Sequence, residues 1–319
     1  VKPALNPPPE WGDGRSVAER SRALSLVLSC LVVLAVLGGA AALVWAAERG
    51  PTPPPSASGT DTDTGDPRKD RALLIAGSGS NLPLMQVLLA ELAVREPALR
   101  VRLAPSIGSS GGIRAVRDGV IDVALVSRPL RPAELEPDLR VHPYARTAVV
   151  LAAHPDVRDH ELSAATLLAA LAPSTRGTDG ALVPILREPG DSALATVMAS
   201  MPELERAYAA AWARGELPAR LTDQAMEQAL LSIPGAIGFF DLGIITTRQL
   251  PLRALSLDGL AATPEALASG RYPHIKQLAL VLPAQADPRT APLLELILGP
   301  DGQHIIAAHG YLPVTGARR

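Results

Sequence analysis

Apolar and polar positions fall into a repeating block along most of this chain, a short apolar run followed by a helical period, and the blocks begin near Ala72. Residues 72–76 form the first apolar run. Residues 82–95 follow, with Leu84, Leu88, Leu89 and Leu92 on one face of a helix. A second strand is predicted at 101–104 and a helix through 113–118. The run Val120–Val126, VIDVALV, lacks the alternation of a half-exposed strand and reads as buried on both faces of a parallel sheet. Further strands are predicted at 147–153, 182–186, 236–240 and 278–282. Helices are predicted at 163–171 with Ser163 as N-cap, through Trp212, and at 223–231, 291–298 and 302–309. Strand and helix in alternation predict an α/β fold.

The longest apolar run lies before these blocks. Residues 23–47 (ALSLVLSCLVVLAVLGGAAALVWAA) carry no charge, and at about 1.5 Å rise per residue they span a hydrocarbon core of about 30 Å. Arg15, Arg20 and Arg22 precede the run and an Asp-rich stretch follows it, so residues 1–22 are expected in the cytoplasm and the large domain outside. The competing reading is a cleaved signal peptide, whose apolar region is only about 7–15 residues. Residues 48–71, rich in Pro, Thr, Asp and Gly, cannot bury a core and are expected to form a flexible tether.

Composition removes several classes of function. The chain holds 30 Lys and Arg against 32 Asp and Glu, scattered rather than clustered, which leaves no basic face for nucleic acid. The single cysteine, Cys30, lies in the apolar run, so neither an internal disulfide nor a cysteine metal cluster is available. The six histidines lack compact ligand spacing, and no metal or cofactor is expected. Aromatic residues make up 3% of the chain, too few for a cage around a sugar or a quaternary amine.

Candidate chemistry sits in four loops, each at the end of an apolar run: Gly77–Asn81, Gly108–Gly112, Ser127-Arg128 and Arg187–Ser192. In an open α/β sheet ligands lie beyond the carboxyl ends of the strands, where helix N-termini present free N–H groups and positive dipole ends. The loops therefore predict a pocket for a small oxyanion. Gly108-Ser109-Ser110-Gly111-Gly112 also fits the GxSxG pattern of hydrolases. Pro105 and Ser106 interrupt the strand that should lead into such an elbow, and the chain is not expected to be an enzyme.

Three of the loops have a wider setting. GSGSNLP at 77–83, IGSSGGIRAVRDGVIDVALVSRPL at 107–130, IPGAIGFF at 233–240, SGRYPHIKQLALVL at 269–282 and GYLPV at 310–314 resemble, in order, the phosphate-binding proteins of bacterial ABC importers. The resemblance covers about 72–315. It implies a two-lobed type II periplasmic-binding fold at 72–316, preceded here by the transmembrane helix, with lobe I at about 72–150 plus 245–315 and lobe II at about 151–244. It also implies an extracytoplasmic receptor for phosphate or a related oxyanion, with an ABC permease as partner in the cytoplasmic membrane.

Carried over by position, Ser80, Asn81 and Leu82 match a loop whose amides and hydroxyl reach the anion. Ser109, Ser110 and Gly111 match the serine-glycine loop, and Arg187 matches a second-lobe clamp. Ser127, Arg128, Asp191 and Ser192 complete the candidate set. The pattern departs from the family in two places: Ser127-Arg128 stands where an aspartate is common, and Asp191-Ser192-Ala193 where Ser-Gly-Thr is common. Physically, Asp191 has two readings. It discriminates among anions by accepting a hydrogen bond, or it caps the helix after it and fills the anion's place. Arg187 likewise meets either a ligand or a neighbouring acid such as Glu188 or Asp191. The alternative function is a membrane-anchored sensor or envelope-assembly module that uses the binding-protein fold with an altered or degraded anion site.

Overall fold

The computed structural model of the protein describes residues 71–173 and 182–314. The expected cytoplasmic segment, the membrane span at 23–47 and all of the tether except Arg71 lie outside the described residues. Among the described residues no helix is long and apolar enough to cross a membrane.

The chain opens with β1 (Leu73–Gly77), α1 (Leu82–Arg95), β2 (Val101–Leu103), α2 (Gly108–Arg117) and β3 (Val123–Val126). All four residues of β3 are buried, as a strand sandwiched between two layers requires. β4 (Leu139–Ala153) is longer than the apolar run 147–153 predicted, because its first half carries Arg140, His142 and Arg146 on an incompletely buried face. Beyond it come β5 (Glu161–Leu162), α3 (Ala164–Leu171), β6 (Val183–Pro184), β7 (Leu186–Arg187), α4 (Ser192–Met198), α5 (Pro202–Arg214) and β8 (Ala219–Arg220). The chain continues through α6 (Asp223–Ser232), β9 (Ala236–Asp241), α7 (Leu242–Thr247), β10 (Arg253–Leu257) and α8 (Pro264–Ala268). It closes with β11 (Ile275–Pro283), α9 (Ala291–Leu298), α10 (Pro300–Ala308) and β12 (Leu312–Pro313).

The sheet runs in the order β2-β1-β3-β11-β4-β10-β5, with β9 and β12 also on β4 and β6 on β9. β4 makes two lobes out of it. Residues 139–148 pair antiparallel with β11, whereas residues 149–153 pair with β9 and residues 151–153 also with β10. β10 therefore belongs with the second lobe, although the expected division assigned it to the first. It also pairs with β5, and Leu255 and Leu257 pack in the same core as Leu162, Leu167 and Val197. The first lobe closes over Ile75, Leu84, Leu88, Leu125, Leu280 and Ile297. The two-lobed mixed α/β architecture is the one expected.

Helix starts follow local chemistry. The Ser163 hydroxyl accepts the Thr166 N–H at 3.1 Å and so caps α3, as its sequence position predicted. Ser163→Ala is expected to lower unfolding free energy by about 1 kcal/mol in urea titration, and an unchanged midpoint would show that the cap contributes nothing. At the end of β1, Gly77 has φ of +146°, and a Cβ there would collide with the Leu125 backbone. Only glycine lets the chain turn beneath β3 at this point and lead the first candidate loop across the carboxyl ends of the strands.

Candidate functional site

Loops from both lobes meet around a cavity of about 280 Å³. The first lobe contributes Ser78, Gly79, residues 106–111, Arg114, Arg128 and Arg131. The second contributes Arg187, Glu188, Gly190, Asp191, Ser192, Leu221, Thr222 and Asp223.

In the first loop, residues 79–81 form a tight 3-10 turn. The Asn81 N–H donates to Ser78 O at 3.2 Å and the Leu82 N–H to Gly79 O, so both amides expected to reach an anion are engaged within the loop. Asn81 is wholly buried, its Oδ1 accepting from the Tyr144 hydroxyl at 2.7 Å. Burial raises the Tyr144 hydroxyl well above its ordinary value, which keeps it protonated as that donor. Ser80 points the other way, accepting from Lys276 Nζ at 2.8 Å and donating to Asp223 Oδ2 at 3.3 Å.

Ser127 lies at the centre, with no exposed surface. Its hydroxyl is 2.8 Å from Ser78 Oγ, 3.4 Å from Ser109 Oγ and 2.9 Å from Ser192 Oγ across the cleft, and its N–H donates to Ser109 Oγ. Arg128 makes a bidentate pair with Glu134, both distances 2.7 Å, and donates to Ser110 Oγ at 2.8 Å. That pair holds the Glu134 carboxyl down at about 2. Arg128 is thus the ion-pair partner of a residue six positions on. Ser110, the nucleophile position of the GxSxG pattern, is held by that arginine.

In the second lobe Arg187 is only 3% exposed. Its N–H donates to the Tyr208 hydroxyl, and its Nη2 donates to Asp191 Oδ2 at 2.5 Å and to Asp223 Oδ1 at 3.1 Å. Nε and Nη1 find no hydrogen-bond partner among the described residues. Burial alone would lower the Arg187 pKa, but the charges of Asp223 and Asp191 outweigh it and raise it. Conversely, burial would raise the Asp191 carboxyl, and Arg187 with Lys276 holds it below the carboxylate range. Asp191 Oδ1 also accepts the Ala193 and Leu194 N–H groups, both at 3.0 Å, and so occupies the N-terminus of α4. Of its two readings, the cap is the one its geometry has.

Three acidic or basic groups at this site were absent from the expected set. Asp223, the first residue of α6, reaches over the first-lobe loop so closely that a Cβ on Gly79 would lie 2.5 Å from its Oδ2. Lys276, on β11, donates to Ser80 and to Ser192 at 3.3 Å and forms an ion pair with Asp241 Oδ2 at 2.8 Å. Asp241 ends β9. The Lys276 and Asp241 side chains are 2% and 1% exposed. Among the candidates, then, Ser80, Ser109, Ser127, Arg187, Asp191 and Ser192 converge, Ser110 and Arg128 stand beside them as a separate pair with Glu134, and Gly111 lines the mouth.

A two-lobed sheet with polar loops gathered in the cleft is the architecture of a periplasmic-binding-type fold. A family profile described as a PBP superfamily domain matches residues 52–295, and the chain belongs to that superfamily. No curated protein sequence matches it. It is similar to a solved structure described as a phosphate ABC transporter substrate-binding protein with bound phosphate from Clostridium perfringens, with 20% identity and a TM-score of 0.64 over 77% of this chain and 100% of that one. An ABC-type phosphate transport receptor from Vibrio cholerae aligns at 18% identity and a TM-score of 0.55, over 76% of this chain and 100% of that one. Reduced OxyR from N. meningitidis aligns at 12% identity and a TM-score of 0.52, over 76% and 98%. Such identities establish the fold.

Proposed function

We propose that this chain is an extracytoplasmic oxyanion-binding module, tethered to the membrane by residues 23–47, that hands phosphate or a related anion to an ABC permease. The observation that carries the reading is Arg187, a guanidinium buried in the cleft with Nε and Nη1 unpartnered among the described residues. Unpaired donors in a desolvated cleft are costly, and an oxyanion that accepts from either of them lowers that cost. Solved structures of the same fold described as phosphate receptors support the reading. Contacts from both lobes then favour a closed state by their differential affinity for the anion, and no bond is made or broken.

A second reading, a sensor or assembly module with an altered site, is favoured by Asp191 and Asp223, which already supply Arg187 with two carboxylates. Calorimetric titration of the full chain with phosphate, sulfate and diphosphate separates the two. Saturable micromolar binding supports the receptor. Binding that appears only in Asp191→Asn or Asp223→Asn supports the altered site, and none in any of the three proteins sinks the receptor and supports a degraded site. The tether predicts that the domain stays in the membrane after alkaline wash. A mature chain beginning near Ala46 or Ala47 would replace it with a cleaved signal peptide.

A further inference from the structure

We infer that the solute is taken in the outer part of the cleft and carries two anionic groups joined by a short link, as inorganic diphosphate does; the inference rests on the oxyanion-binding reading above. The inner position is already held by the protein. Asp223, from the second lobe, lies against Gly79 of the first, accepts from Ser80 and pairs with Arg187. Asp191 fills the two N–H groups at the start of α4. An anion with a single charged centre, placed where these carboxylates stand, meets three carboxylates, Asp191, Asp223 and Asp241, against two cations, Arg187 and Lys276.

Positive charge outside any salt bridge lies along the same cavity. Arg114 and Arg131 line the same cavity and make no salt bridge within 4 Å among the described residues. Arg131 reaches to 3.9 Å from the position of a Cβ on Gly190, so it overhangs the opposing lobe. α2, ten residues long, opens into this region after Gly108, whose φ of +71° turns the chain there. The second mark of a ligand is Arg187 itself, a buried guanidinium that lines the same cavity and whose Nε and Nη1 have no hydrogen-bond partner among the described residues. Arg128, pinned to Glu134, adds nothing to this set. An anion with two charged groups has one for the Arg187 edge and one for the Arg114 and Arg131 rim, whereas a single ion leaves one of these unmet. About 280 Å³ lies near the lower end of small-molecule pockets, roughly 300–1,000 Å³, which leaves room for the second group.

The test is calorimetric titration of the full chain with inorganic diphosphate and with orthophosphate at one pH and ionic strength. Diphosphate is expected to bind at least tenfold tighter. Arg114→Gln and Arg131→Gln, both at exposed positions, are expected to reduce that preference by fivefold or more, and Asp223→Asn to narrow it by raising orthophosphate affinity. Orthophosphate binding as tightly as diphosphate, or a preference untouched by both rim variants, overturns the inference and leaves the oxyanion-binding reading standing. Binding of neither anion ends both.

Discussion

Replacing Lys276 with methionine is expected to lower the unfolding free energy by about 3–5 kcal/mol, read as a shift of the urea midpoint at neutral pH. Lys276 and Asp241 are almost wholly enclosed, and Lys276 also donates to Ser80 and Ser192. Removing the cation leaves Asp241 as an uncompensated buried carboxylate and takes one hydrogen-bond partner from each of two hydroxyls. Burial already pushes the Asp241 carboxyl up, and Lys276 offsets part of that push. The pair is thus fragile when halved without being a large net source of stability. Lys276→Met combined with Asp241→Leu is accordingly expected to recover much of the loss, since buried ion pairs exchanged for apolar groups are often neutral. A single variant as stable as the parent would show that water reaches this pair.

Arg187→Ala is the other severe change, and it acts on two properties. Asp191 and Asp223 lose their shared counter-ion in a cleft where all three side chains are largely buried, again about 3–5 kcal/mol. Acid sensitivity should shift as well. Asp191 is held below its unfolded value of about 3.9, so its contribution is complete above that value and is lost as the pH falls through the lowered one. Without Arg187 that loss begins at higher pH. Arg187→Lys separates stability from binding, because a lysine retains the charge for the two acids but not the planar fork an oxyanion needs. It is expected to keep more stability than Arg187→Ala and still lose most anion affinity. Affinity equal to the parent's in Arg187→Lys would remove the guanidinium geometry from the argument.

Local pattern was legible where it was dense. The second half of the run Val120–Val126 announced the buried β3, although Val120 is exposed and Asp122 pairs with Arg71; the leucines of residues 82–95 announced α1, and Ser163 announced its cap. β10 was missed because RALSL is short and mixes Arg and Ser with its leucines, and it becomes a strand only by pairing with β4 and β5. The site was legible in its loops but not in its charges. Asp223 begins a helix, where an acidic residue needs no further explanation, and only the fold brings it across to Ser80, 143 positions away. Lys276 did leave a trace, a lone cation in the mostly apolar IKQLALVL, and Asp241 closes the apolar AIGFFD in the same way. A charge inside a buried strand demands a partner, and these two find each other.

The serines between the lobes have a direction. An ammonium group only donates, so Ser80 and Ser192 both receive from Lys276, and their own protons are left to point onward. From Ser80 the next acceptor is Asp223, and from Ser192 it is Ser127, whose hydroxyl has Ser78 and Ser109 beyond it. One cation thus sets the donor-to-acceptor order of both hydroxyl chains. With a neutral side chain at position 276 they could run either way, and the oxygens facing the cavity could no longer be told apart as donors and acceptors by anything that arrives there.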